Sequence, residues 1–411
     1  MSTTNNTIGT GYEGNIREQI SGYFLKVKSG DMGSLPAMIG LIVLAILFSI
    51  MSPVFLTSLN FANLFNQAAA LIVMAMGLVF VLILAEIDLS AGVTAGVSAA
   101  MLVIALNAEL HWTLAIAIAV VSGVVIGYFI GIIVAKVGIP SFVVTLAAFL
   151  AFQGILLLLA GEGGTIRVED PTILAVQNSN MSPTVSWIFF LIVAVAYVLT
   201  GLSAMNSRRK AGLKTELKKL WIIKTAGLLL ITGLAVFALN LERSNNPDLV
   251  SLKGIPYVVP VILLLLVIGT FVLGRTAFGR HIYAVGGNAE AARRAGINVK
   301  QIRIAAFMIC SSLAAIAGMI FASRQNSISP TTGGSSTLLY AVGAAVIGGT
   351  SLFGGKGKMR DAILGGLVVA VIDNGMGLLG YAAGIKFIVT GLVLLISAGV
   401  DAISRRGANA T

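Results

Sequence analysis

Apolar residues in this chain come in long, nearly uninterrupted runs, with no two-residue alternation and few charged positions to mark a water-facing stripe. The segment from Met32 to Ala85 carries no charged side chain over 54 residues, and Val137 to Gly161 carries none over 25. A helix that crosses about 30 Å of hydrocarbon needs about 20 mostly apolar residues. The pattern predicts twelve such spans, over 36–53, 64–85, 91–106, 113–135, 141–160, 185–204, 221–240, 255–273, 302–322, 337–353, 362–380 and 385–403. Three are irregular. Segment 91–106 is short and rich in small residues, 337–353 is Gly-rich and open to a re-entrant or broken form, and 64–85 carries Asn66 and Gln67 in its first turn. The expected fold class is all-α, a polytopic membrane helix bundle. Residues 36–403 form one transmembrane domain between an N-terminal segment 1–35 and a tail 404–411.

Charge assigns a direction to these spans. With the N-terminus in the cytoplasm, 22 of the 27 Lys and Arg residues fall on cytoplasmic segments. They are Arg17, Lys26 and Lys28, then Lys136, the 207–224 loop, the 274–303 loop, Lys356, Lys358 and Arg360, and finally Arg405 and Arg406. Only Arg167, Arg243, Lys253, Arg324 and Lys386 remain outside. This is the asymmetry that the positive-inside rule requires, and it places both termini in the cytoplasm.

Composition narrows the class further. Apolar residues make up 57% and charged residues 10% of the 411 positions, against roughly 25% charged in a soluble domain. The formal net charge of +11 sits on membrane-flanking loops without interleaved aromatics, a pattern for anionic lipid and not for nucleic acid. Cys310 is the only cysteine, so it forms no internal disulfide and reads as a buried, inert thiol. The polar start lacks the basic stretch and short apolar core of a cleavable signal peptide, so the first apolar run is expected to stay as a span. Gly123, Gly127 and Gly131, and again Ala314 and Gly318, give small-xxx-small faces on which helix backbones approach closely.

No catalytic constellation emerges. His111 and His281 fall on opposite sides of the membrane, and there is no H-E-x-x-H, no G-x-S-x-G and no metal-ligand spacing. The stretch Gly348 to Gly357 superficially resembles a phosphate loop, but Thr350 stands at the first Gly position and Gly357 follows Lys356 where Ser or Thr is required. No ATP site is expected on this chain.

The loop after the eighth span is richer. Asn288 is placed to cap a helix with Glu290 in its first turn, Arg293 and Arg294 in its last, and Gly296 at the left-handed position beyond it. That chemistry specifies a rod of about two turns. Ala291, Ala292 and Ala295 are small enough for close docking, and an isolated helix this short needs a partner surface or the bilayer to hold it.

At this loop the chain resembles the permease subunits of bacterial ATP-binding-cassette importers for ribose, xylose, galactose and related sugars. The resemblance rests on Ile87-Asp88-Leu89-Ser90-Ala91-Gly92, on Gly286-Gly287-Asn288 through Val299, and on Gly348 to Gly357 followed by Asp373-Asn374-Gly375. Gly138-Ile139-Pro140-Ser141-Phe142 at the start of the fifth span fits as well. It implies that the loop 274–301 carries a coupling helix, with Asn288, Glu290, Ala291, Ala292, Arg293, Arg294 and Gly296, which docks on a cytoplasmic ATPase. ATP and magnesium belong to that partner, and this chain binds no cofactor. An extracellular or periplasmic binding protein delivers a monosaccharide, and two permease chains, identical or a close pair, form the path in the bacterial inner membrane. The usual G-G before I-D-L-S is Ala85-Glu86 here, and residues 185–254 add a helix pair to the ten-span ribose type, as in xylose-type members.

Polar groups inside spans are costly in lipid unless they face a cavity or a partner. Asn63, Asn66, Gln67, Phe152, Gln153, Asp373 and Asn374 are therefore candidates for the substrate path, with hydrogen bonding between helices as the competing role. The rival function is a proton-coupled secondary transporter in which Glu86, Asp88 or Asp373 titrates.

Overall fold

The computed structural model describes residues 33–161, 164–213 and 217–409. Arg17, Lys26, Lys28 and Lys214, together with nearly all of segment 1–35, lie outside the described residues. The helices in chain order are α1 (Leu35–Met51), α2 (Ser58–Ile83), α3 (Ala91–Asn107), α4 (Trp112–Ile132), α5 (Ser141–Ala160), α6 (Pro171–Asn178), α7 (Pro183–Lys210), α8 (Lys218–Asn240), α9 (Val258–Arg275), α10 (Ala277–Gly287), α11 (Ala289–Arg294), α12 (Val299–Gln325), α13 (Ser335–Ile347), α14 (Met359–Leu378) and α15 (Ala383–Asn409). Twelve of them coincide with the twelve apolar runs; α6, α10 and α11 are additional and short. Among the described residues eight helices are long and apolar enough to cross a membrane, while α1, α3, α13 and the Ala383–Gly399 part of α15 are apolar but shorter.

Local chemistry moves several boundaries. Asn298 Oδ1 accepts from Gln301 N at 3.1 Å, so α12 begins three residues before the apolar run does. Thr57 caps α2 and starts it at Ser58. The predicted span 337–353 is a correction: α13 stops at Ile347, because Gly349 turns to φ +116° and the chain leaves the helix. Its 13 residues cover about 20 Å, short of the hydrocarbon thickness. Residues 348–358 form a folded loop instead.

The chain divides into two compact units. Residues Gly33–Asn180 and Pro256–Ile403 form the larger one. Its centre is α2, buried without interruption from Ala68 to Leu84 and surrounded by α9, α12, α13 and α14. α4 lies against α12 on its glycine face: a Cβ at Gly127 would stand 2.4 Å from Phe307 O, and one at Gly123 2.5 Å from Ser311 O. Only glycine permits that approach. At one end of this unit a minimal antiparallel ladder, β1 (Ile166–Arg167) with β2 (Ser327–Ile328), pairs Ile166 with Ile328.

Residues Met181–Ile255 belong to the other unit, a hairpin of α7 and α8. Its flanks expose large apolar side chains such as Leu191, Ile192, Leu230 and Ile231. Such a surface is sustained by lipid and penalised by water. The loop after α8 is tightly held. Glu242 Oε1 accepts from the N–H groups of Arg243 (2.9 Å), Ser244 (3.0 Å) and Leu252 (3.0 Å), and its Oε2 accepts from Ser251 Oγ at 2.8 Å. The Leu252 and Ser244 N–H groups lead in holding this carboxyl down at about 2.

Candidate functional site

The rod expected from the 288–296 sequence is present. Asn288 Oδ1 accepts from Ala291 N at 2.9 Å and opens α11, and Gly296 takes φ +83° beyond it. Ile297 N donates to Ala292 O and Gly296 N to Arg293 O, both at 3.0 Å, the paired bonds of a Schellman stop. Glu290 sits between Arg293 (2.6 Å) and Arg294 (3.3 Å), with these side chains 55%, 65% and 80% exposed. α11 therefore offers an open charged surface. Ala292 is buried in the chain's own core and anchors the rod. A single inward residue is all a six-residue helix needs to seat itself.

α11 is not alone in this loop. α10 precedes it, capped by Thr276 Oγ1, which accepts from Gly279 N at 3.0 Å, and it buries Gly279, Ile282 and Val285. α10 is joined to the end of α2 through backbone. A Cβ at Gly286 would lie 1.8 Å from Ile83 O, and Gly355 N donates to that same oxygen at 2.8 Å. Tyr283 Oη donates to Gly357 O at 2.6 Å. The glycine loop thus spends its groups on internal contacts: Ser351 N reaches Lys356 O at 3.0 Å, and Lys358 N reaches Asp361 Oδ2 at 2.8 Å.

Beside this junction stands the departure from the family pattern. Ala85 adopts φ +58°, a left-handed conformation that costs a non-glycine residue roughly 1–2 kcal/mol. Glu86 Oε1 then lies 3.0 Å from Arg303 Nε, an ion pair between the segment after α2 and the first turns of α12. Asp88 is fully buried, its Oδ1 accepting from Ser90 N (2.9 Å) and Ser90 Oγ (2.6 Å). Ser141 Oγ accepts from Ile87 N at 3.2 Å. The segments around Glu86, Ser141, Gly286, Arg303 and Gly355 thus meet at one end of the larger unit.

The path candidates have mixed fates at the opposite end. Asn374 exchanges reciprocal amide hydrogen bonds with Asn60, at 3.0 and 2.9 Å, and is spent as an interhelical clasp. Gln153 Nε2 donates to Pro330 O at 2.7 Å. Phe152 packs against the apolar core, and Asn63 is exposed. Asp373 pairs with Lys386 at 3.3 Å. Within this chain Asn374, Gln153 and Asp373 thus have polar partners and Phe152 an apolar one. Asn66 and Gln67 differ, since their Oδ1 and Oε1 are buried with no hydrogen-bond partner. Gln177 on α6 was missed: it is 5% exposed, and its Nε2 donates to Asn66 O at 3.4 Å. A lone glutamine in a polar stretch gave no signal for it.

A bundle of apolar helices around a buried central helix, with a small exposed rod at one end, is the architecture of a polytopic membrane protein. The chain belongs to the family of branched-chain amino acid transport system permease components, whose model matches residues 60–398. It is 33% identical over 383 residues to the xylose transport system permease protein XylH of Haemophilus influenzae, covering 93% of this chain and 99% of that one. It is 34% identical over 388 residues to the XylH protein of Escherichia coli K12 (94% and 96%). It is 30% identical over 373 residues to the ribose import permease protein RbsC of Bacillus subtilis (90% and 94%). No solved structure gives a significant match.

Proposed function

We propose that this chain is the permease subunit of an ATP-binding-cassette importer of a monosaccharide, xylose or a related pentose or hexose. Two copies form the path across the inner membrane, each with both termini cytoplasmic, flanked by anionic lipid. A separate cytoplasmic ATPase holds ATP and magnesium, and an extracellular or periplasmic binding protein delivers the sugar. The observation that carries the reading is α11: a capped rod with an exposed charged face, anchored inward by Ala292 and continued by α10 into backbone contact with α2. Force applied to that face has a stiff route to the central helix. Full coverage of xylose permeases by the alignment supports the sugar class.

Geometry speaks against two of the three carboxylates of the proton-coupled alternative, because Glu86 faces Arg303 and Asp373 faces Lys386; Asp88, buried with its Oδ1 on Ser90, is the one it leaves. The test is uptake of labelled xylose into vesicles holding the chain with its ATPase and binding protein. Uptake is expected to require ATP and to persist when the proton gradient is collapsed; the opposite pattern refutes the proposal. Reversing Arg293 and Arg294 to Glu should abolish ATPase capture while leaving the chain folded, since an exposed pair contributes at most about 1 kcal/mol.

A further inference from the structure

We propose that the amides of Asn66, Gln67 and Gln177 form a hydroxyl-binding site for an uncharged polyol at the end of α2 remote from α11, with α6 as the element that closes over it. The inference deepens the proposed function and rests on it. Gln177 Oε1, Asn66 Oδ1 and Gln67 Oε1 are all buried without a hydrogen-bond partner. Each such orphan is destabilising, and buried polar atoms are ordinarily satisfied. Gln177 meets α2 at the Asn66 carbonyl, with Gln67 next along that helix, and orphan amides at such a meeting call for an external partner. A hydroxyl suits because it donates and accepts at once, and so satisfies a side-chain amide in either orientation.

The surroundings select an uncharged ligand. Asn60 and Asn374 consume each other, Gln153 is committed to Pro330 O, and Asp373 is neutralised by Lys386. These groups leave no unpaired charge to hold the carboxylate or ammonium of an amino acid, and Arg324, next to Ser323 on α12, is exposed. Closure is built into α6. Gln177 N donates to Ser323 Oγ (3.1 Å), Ser323 Oγ donates to Leu174 O (3.1 Å), and Asn178 Nδ2 donates to Ser323 O (3.0 Å) and Asn326 Oδ1 (2.8 Å). Against these four bonds to the α12 end, the hydrogen bond from α6 to α2 among the described residues is the 3.4 Å one of Gln177 Nε2 with Asn66 O, near the limit for such a bond. That weak contact is the one a sugar hydroxyl would replace.

The experiment uses the complete importer in vesicles, with xylose and its monodeoxy analogues as probes. Gln177→Leu and Gln67→Leu should each lower maximal uptake about 3–10-fold, the range of one or two hydrogen bonds. The half-saturating sugar concentration, set by the binding protein, and the ATPase rate should not change. On at least one deoxy analogue the wild type should lose the same factor and Gln177→Leu nothing further. Gln177→Asn, which keeps the amide, should retain intermediate uptake, and thermal unfolding of each purified variant reports whether it has folded. Unchanged uptake in folded Leu variants, with stability raised by removal of the orphan atoms, would mean that the amides hold only water and would overturn the site. A wild-type importer that moves no monosaccharide but moves another solute would overturn the sugar reading itself.

Discussion

Neutralising Glu86 or Arg303 is the most direct probe of the junction between the exposed rod and the central helix. The two groups approach to 3.0 Å, with the Arg303 side chain 31% and the Glu86 side chain 12% exposed. Removing one member of a fully buried pair costs about 3–5 kcal/mol, whereas an exposed pair is worth about 0–1 kcal/mol. Intermediate burial places Glu86→Gln and Arg303→Gln at about 1–3 kcal/mol each. In the double mutant no charge is stranded, so its loss should fall below the sum of the singles by about 1–2 kcal/mol. Chemical unfolding of the purified chain, followed by tryptophan fluorescence, measures the cycle. In the assembled importer the singles should lower sugar moved per ATP, and the exchange Glu86→Arg with Arg303→Glu should recover most of it. A cycle additive to within about 0.5 kcal/mol, with uptake per ATP unaltered in both singles, would refute the idea that this pair holds the ends of α2 and α12 together.

Three further outcomes are expected. Gly286→Ala must push α10 off the Ile83 carbonyl, because its Cβ would stand 1.8 Å away; a loss of about 1–3 kcal/mol or more and of uptake is expected in stability and transport assays. Asn374→Leu should cost about 1–3 kcal/mol by stranding Asn60, while Asn60→Leu with Asn374→Leu should come back towards wild-type unfolding and transport, since the clasp is structural. The Glu242 carboxyl ionises at about 2 in the folded loop against 4.5 when free. The stabilisation it gives is complete above about pH 4.5 and is lost as the pH falls through about 2, so the Ser244 and Leu252 amides should lose exchange protection across that window.

The apolar runs made twelve helices legible, eight of them span-length, because an apolar segment in lipid is stable as a helix. The α11 rod was legible for a different reason: Asn288, Glu290, Arg293, Arg294 and Gly296 specify its start, its polarity and its stop within nine residues. α10 was hidden because its 11 residues, with Gly279, Ile282 and Val285 inward, are too few to stand out as a membrane span. α6 was hidden because eight residues with Ile173 and Gln177 as their buried members look like polar loop. Pairings across the chain left no local trace at all. Asn60 with Asn374 and Glu86 with Arg303 depend on packing that brings distant turns together, so intramembrane polarity flagged Asn374 and the family departure flagged Glu86, but neither revealed its partner. The overlong span at 337–353 came from counting Gly348 and Gly349 as helix when their conformational freedom ends it.

Where α4 meets α12, Ser311 and Phe307 carbonyls sit where β-carbons at Gly123 and Gly127 would have been. Nothing compressible lies between the two axes: no rotamer to swing, no methylene to slide. Such a seam behaves as a weld, and the two helices travel as a single girder through whatever cycle the transporter performs. The rearrangements that open and shut the membrane must then be carried by cushioned contacts, such as the one where the pliant Met359 thioether fills the notch left by Gly269.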